Sequence, residues 1–433
     1  MAELKERFYD YLIEEDEPRA CKAIPEEACT NVPKNFTLNI ANGTLTKLAE
    51  KIISPNLTLA WIMDFFGASS AMIGALVPIK DAGSLLPQLA VSGKIRSFSI
   101  RKNFWAISAL VQGFCWLAAA GHIFFGDEKT FPMAMLVLLA VFSVASGVAS
   151  VAYKDVIGKT IPKNTRGQML SYRSTFGGIL SLIAGVVLVF FIQEEADKSI
   201  YGFMFLFAAA LWFIASILFF MIQEEKGATD GGRNPLQEVK AGIKLIKEET
   251  NFRNFLFTRA LLMAVPLLQP FYVLVAKDMG NPDWSLLGYL IIVNGLANVL
   301  SSPIWGKIAD QSSTRLMRIS SMIAIGGGIF ALMFYFATDW NLGFYAFLPV
   351  FFINGIAYSG ARLSRKTYLV DYAPDGNRAT YVSVANTFIG MFTLVAAGFG
   401  VIAELFGLPA QIIFFMSLLV LAVILSFRLN KVQ

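Results

Sequence analysis

Apolar residues dominate twelve stretches of the chain, each about 20 residues long, which at a helical rise of 1.5 Å per residue suits a bilayer crossing. Spans 1 to 6 read Phe36 to Ile53, Ser69 to Val91, Phe104 to Phe125, Phe131 to Tyr153, Met169 to Ile192 and Tyr201 to Ile222. Spans 7 to 12 read Phe255 to Ala276, Ser285 to Trp305, Leu316 to Ala337, Phe344 to Leu363, Ala379 to Ala403 and Phe406 to Phe427. The polar interval from Gln223 to Asn254 holds a flexible piece, Gly227 to Pro235. It continues with Leu236, Val239, Ile243 and Ile246 separated by Lys240, Lys244 and Lys247. That spacing predicts an amphipathic basic helix at the membrane surface. Residues 1–33 are acidic, show no signal-peptide pattern and read as a solvated tail. The expected organisation is a tail (1–33), a six-helix bundle (34–222), a linker (223–254) and a second bundle (255–433).

Basic residues orient the spans. The loops after spans 2, 4, 6, 8 and 10 carry clusters, among them Lys94, Arg96, Arg101 and Lys102, then Lys154, Lys159, Lys163 and Arg166, and later Arg362, Arg365, Lys366 and Arg378. The loops after spans 3, 5 and 7 carry one each, Lys129, Lys198 and Lys277. The positive-inside rule therefore places both termini and the linker in the cytoplasm, with the chain in the inner membrane.

Composition narrows the function classes. Only 15% of residues are charged and 56% are hydrophobic, against about 25% charged in a soluble domain. The net charge of +5 comes from the loops and calls for no nucleic acid. The lone His122 reads as an interfacial side chain. Cys21, Cys29 and Cys115 fit neither a disulfide framework nor a zinc pattern. No nucleotide-binding loop, metal cluster or nucleophile–base set is present, so neither catalysis nor primary pumping is expected, and no cofactor.

The halves repeat at a shift of about 212 residues. Gly93-Lys94-Ile95 leaving span 2 returns as Gly306-Lys307-Ile308 leaving span 8. Pro162, Arg166, Phe176 and Gly178 return as Pro374, Arg378, Phe388 and Gly390. Duplications of this kind build many secondary transporters, with the site near mid-membrane between the halves.

On this pattern the chain resembles the major facilitator superfamily over all twelve spans. The family signature Gly-x-Leu-Ala-Asp-Arg-x-Gly-Arg-Arg appears as Gly306-Lys-Ile-Ala-Asp310-Gln-Ser-Ser-Thr-Arg315, while the first-half copy has Ser97 in place of the acid. The resemblance implies an all-α membrane protein of two pseudo-symmetric six-helix bundles rocking about a central site. It also implies that Asp310 lies near the start of span 5, where the helix dipole and Arg166 favour an anion. Gly306, Asp310, Arg315 and Arg166 are thus expected to form a latch on the cytoplasmic side.

Polar residues inside the spans are the candidate chemistry. Asn35, Asn39, Asn42, Thr46 and Glu50 share one face of span 1. Lipid does not tolerate such a stripe, so it either lines a cavity or joins helices. Lys47, Glu50 and Lys51 are expected near the outer interface. Span 2 carries Lys80 and Asp81 at mid-membrane, a depth costing about 2.5–3.5 kcal/mol per charge on insertion scales. Adjacent helix residues do not face each other, so each needs its own partner. Pro78 and Pro87 flank the pair, and Asn294 stands 213 positions after Asp81. Arg173 and Arg259 enter spans 5 and 7 from the cytoplasmic side; Gln269, Asn354, Tyr358 and Asn386 complete the candidate substrate-binding set. Asp81 is the candidate proton-coupling group, with a structural ion pair to Arg173 or another cation as the competing reading.

The expected function is secondary transport of a small polar or anionic solute by alternating access, coupled to protons, by a monomer embedded in lipid. Export of amphipathic compounds is the alternative within transport. A lipid scramblase or a transporter-like sensor is the alternative of another class.

Overall fold

The computed structural model describes residues 29–163, 165–191, 198–227, 229, 235–279, 284–337, 343–374 and 378–430. The acidic tail through residue 28, Cys21 and most of the Gly-rich linker piece lie outside the described residues. Cys29 is disulfide-bonded, which corrects the expectation that the cysteines form no disulfide.

The described residues form helices and connecting turns, with no strand among them. Ten helical stretches are long and apolar enough to cross a membrane. The helices Val32–Ile52 and Ser70–Arg96, spans 1 and 2, are not among the ten, because the Asn stripe and the Lys80–Asp81 pair lower their hydropathy. Both are instead enclosed by other helices, as polar membrane segments must be. The remaining spans of the first half are Lys102–Phe125, Phe131–Thr160, Arg166–Phe191 and Ser199–Phe220. In the second half, span 8 is Trp284–Gln311, span 9 Ser313–Phe336, span 10 Leu348–Tyr372 and span 12 Leu408–Ser426.

Two spans expected as single helices are broken. Span 1 stops at Ile52, and a second helix, Thr58–Phe65, resumes the crossing. Pro55 has no N–H to continue the ladder, and the Ser54 hydroxyl accepts the Thr58 N–H instead (3.3 Å). The second piece is no surface loop: Leu59, Ala60, Ile62 and Met63 are fully buried. Span 7 is likewise split into Thr250–Leu261 and Ala264–Asp278. Span 11 passes through a short 3-10 turn, Ala397–Gly400, between Arg378–Ala396 and Val401–Phe406.

Spans 1, 5 and 6, with the pairs 2–4, 3–4 and 3–6, form one bundle; the pairs 7–12, 8–10, 9–10 and 9–12 form the other. The bundles meet along spans 5–8 and 2–11. Small residues let the backbones touch there, as in membrane helix pairs generally. A Cβ on Gly288 would lie 2.7 Å from the Gly185 carbonyl, and one on Gly74 would lie 2.9 Å from the Gly400 Cα. These contacts occupy the half of the molecule away from the basic loops. At the basic-loop end Asp310 and Arg315 are exposed, and Arg166 turns back to the Ile161 and Gly158 carbonyls of its own bundle (2.8 and 2.7 Å). The bundles are therefore closest away from the basic-loop face, and the space between them on the side of the basic loops is the cleft.

The linker helix Pro235–Glu248 packs on spans 7 and 11 at that face. Glu249, just after it, accepts hydrogen bonds from the hydroxyls of Tyr372 (2.8 Å) and Tyr381, tying the start of span 7 to spans 10 and 11.

Candidate functional site

The roof of the cleft lies where the two broken spans meet. Asn56, in the break of span 1, donates from Nδ2 to Oε1 of fully buried Gln269 in span 7 (2.5 Å). Each residue is nine positions from the outer end of its helix, about 14 Å deep. Above this bond, Lys277 pairs with Asp64, stands 4.8 Å from the Trp61 ring centroid and donates weakly to the Trp61 carbonyl (3.4 Å). The Trp61 indole in turn donates to the Tyr201 hydroxyl (2.9 Å) and meets Phe344 edge-on.

Charged side chains from both bundles lie beneath the roof. Lys80 acts electrostatically on Glu50 of span 1, whereas Asp81 acts on Arg259 and Arg365 of spans 7 and 10. The neighbouring charges of span 2 thus serve opposite bundles, as the 100° step between adjacent helix residues requires. Glu50 is ion-paired with Lys47 (2.8 Å) and lies within electrostatic range of Arg362 and Arg173. Lys366 reaches the fields of both Lys47 and Arg259, so the two groups of charges form one cluster.

The guanidiniums of Arg173 and Arg259 are held by specific neighbours. Arg173 stacks on Tyr153, 4.6 Å from the ring centroid, and packs against the bare backbone of Gly43, where a Cβ would come within 1.7 Å of Nε. Arg259 donates from Nη2 to Oδ1 of Asn386 (3.0 Å). Arg173 Nη1 and Arg259 Nε are buried without a hydrogen-bond partner. A charged donor shut off in this way is costly unless something pairs with it.

The structure brings Lys80, Asp81, Arg173, Arg259, Tyr358 and Asn386 into this region, Tyr358 through its electrostatic contact with Arg365. Gln269 belongs to the roof. Other expected residues lie inside the bundles. Asn39 donates to the Asn35 carbonyl (2.8 Å) and Asn42 to the Ala215 carbonyl of span 6 (2.8 Å), both at 0% exposure. Asn294 accepts from Asn298 (3.0 Å) and faces Gly355 of span 10, and buried Asn354 leaves both amide atoms without a partner. Gly306 lies in open space.

Two placements are corrected. Lys47 and Glu50 lie in the charge cluster below mid-membrane and not at the outer interface, because the crossing continues for another helix beyond them. Arg362, Arg365 and Lys366 belong to the span 10 helix, which runs on to Tyr372, and not to the loop after it. The apolar run Leu57 to Phe66 immediately after Pro55 was the available signal for the first. The Ser-Arg-Lys-Thr-Tyr-Leu-Val continuation at helical spacing was the signal for the second.

Comparison with known proteins bears on the fold. The family model described as Major Facilitator Superfamily matches residues 41–348 and again 267–432. Uncharacterised proteins of Mycobacterium tuberculosis and Mycobacterium bovis are 23% identical over 290 residues. That match takes in 66% of this chain but only 56% of the length of those relatives. The structure of a D-xylose-proton symporter superposes with a TM-score of 0.69 at 15% identity, covering 93% of this chain and 99% of that one. A nucleoside transporter, NupG, gives 0.67 at 14% identity over 90% and 98%. The inward open conformation of the xylose transporter XylE from E. coli gives 0.64 at 14% over 92% and 96%.

Proposed function

Since the chain belongs to the major facilitator superfamily, we propose that it is a secondary transporter that carries a small polar or anionic solute by alternating access, coupled to protons through Asp81. The observation that carries this reading is the charge cluster itself. Side chains from both bundles converge inward of the Asn56–Gln269 contact between spans 1 and 7, at the depth where a site must lie to be reached from each side in turn. Asp81 has Arg259 and Arg365 within electrostatic range across the cleft. Protonating it would change the attraction between the bundles, which is what coupling requires. The cleft opening at the basic-loop face is the cytoplasm-facing state, in an inner-membrane protein with both termini inside. Arg166, Gly306, Asp310 and Arg315 would close that face as a latch in the opposite state. The proton symport named for the neighbouring D-xylose structure supports the coupled reading.

The test is flux in liposomes reconstituted with the purified protein, with and without an imposed pH gradient, for wild type and Asp81→Asn. Gradient-driven accumulation that becomes gradient-independent exchange in Asp81→Asn is the expected result. Accumulation by wild type that ignores the gradient refutes the coupling.

A further inference from the structure

The cleft holds far more positive than negative charge. Lys47, Lys80, Arg173, Arg259, Arg362 and Arg365 stand against Glu50 and Asp81, all within one electrostatically connected group. Glu50 is occupied by Lys47 (2.8 Å), and Asp81 is within electrostatic range of both Arg259 and Arg365, so the surplus remains on several cations at once. A single negative charge on a solute leaves most of that surplus uncompensated in a partly dehydrated space. Two charges compensate much more of it.

The two arginines also have the form of oxyanion receptors. Stacking on Tyr153 and on the Gly43 backbone fixes the plane of Arg173, while Asn386 orients Arg259 from the other bundle (3.0 Å). A planar guanidinium with a free donor matches carboxylate or phosphate geometry, which an ammonium does not. The unpartnered Arg173 Nη1 and Arg259 Nε are such donors.

We infer that the solute is a compact organic dianion, held by Arg173 from the first bundle and by Arg259 from the second. This rests on the transporter reading above and names its substrate class. A dianion bound to both bundles draws them together over the cleft, so the charge that selects the solute also helps drive closure.

The experiment uses the full-length protein in lipid nanodiscs, with binding followed by calorimetry at constant ionic strength. The dianionic probes are succinate and glycerol 3-phosphate; lactate and xylose are the monoanionic and neutral controls. Each dianion that binds is expected to do so at least about tenfold more tightly than lactate. Preference between the two separates a dicarboxylate from a phosphate ester. Arg173→Gln and Arg259→Gln should each weaken that binding about tenfold or more, and Arg173→Lys should restore only part of it. The melting temperature without ligand reports whether each variant is folded. Absence of binding by both dianions, or dianion affinity unchanged in folded Gln variants, overturns the inference. If xylose or lactate is instead bound and carried across liposomes, the dianion inference fails and the transporter reading stands. If a dianion binds as described but never crosses, the transporter reading is what fails.

Discussion

Asn56 and Gln269 are 213 positions apart, the period of the internal repeat, and they are hydrogen-bonded to each other. Equivalent residues of the two halves therefore touch on the pseudo-twofold axis, Asn56 in the break of span 1 and Gln269 within the helix Ala264–Asp278 that follows the break of span 7. Opening the outer face must part them. A buried amide pair contributes about 1 kcal/mol net, so Asn56→Ala is expected to raise the outward-open population about fivefold. Spin labels on the outer ends of spans 1 and 7 would measure this, and an unchanged distance distribution would remove Asn56 from the gate.

Asp64 and Lys277 are also 213 positions apart and lie one step further out. The pair is partly exposed, which limits it to about 1 kcal/mol or less. Lys277 additionally stands over Trp61, a contact worth about 0.5–1 kcal/mol at such a site. Lys277→Gln should therefore open the outer face more than Asp64→Asn does, and high salt should shrink the effect of Asp64→Asn first. Equal effects at all salt concentrations would contradict this order.

Gly43→Ala places a methyl 1.7 Å from Arg173 Nε, so the guanidinium has to leave its stack on Tyr153. Flux should fall about tenfold, the scale of one misplaced charged contact, with the melting temperature held. Gly121→Ala, where the added methyl meets nothing within 4 Å, is the matched control and should transport normally.

Asp310→Asn should shift the balance toward the cytoplasm-open state by about 1 kcal/mol, the size of one favourable charge at a helix N-terminus. Solute affinity measured in that open state should be unaffected, because Asp310 is exposed and Arg166 is engaged elsewhere. Lost affinity with unchanged populations would assign Asp310 to binding instead.

Much of the architecture is legible from the order of residues. The apolar runs, the repeat and the two charges of span 2 all point to bundles around a central site. What misleads is the habit of treating every charge as a marker of bulk water. Arg362, Arg365 and Lys366 read as a loop because they are charged, yet they belong to the helix of span 10, which runs on to Tyr372 and carries them between the bundles. Lys47 and Glu50 are misplaced for the related reason that Pro55 looks like the end of a crossing, which in fact continues to Phe65. Asn39 and Asn42 are a different case. A polar stripe shows that a partner exists but not whether it is a solute: each Nδ2 donates to a backbone carbonyl at 2.8 Å, while each Oδ1 is buried without a partner.

The two residue pairs on the axis bear on how such a chain arose. In a symmetric dimer of a single ancestral half, each axial position would confront its own copy. An amide tolerates that, because it carries both a donor and an acceptor, so the Asn56–Gln269 contact works almost unchanged as Asn with Asn or Gln with Gln. An aspartate facing an aspartate, or a lysine facing a lysine, would repel. The Asp64–Lys277 pair is open only to halves that mutate independently, and it dates that part of the gate to a time after the duplication.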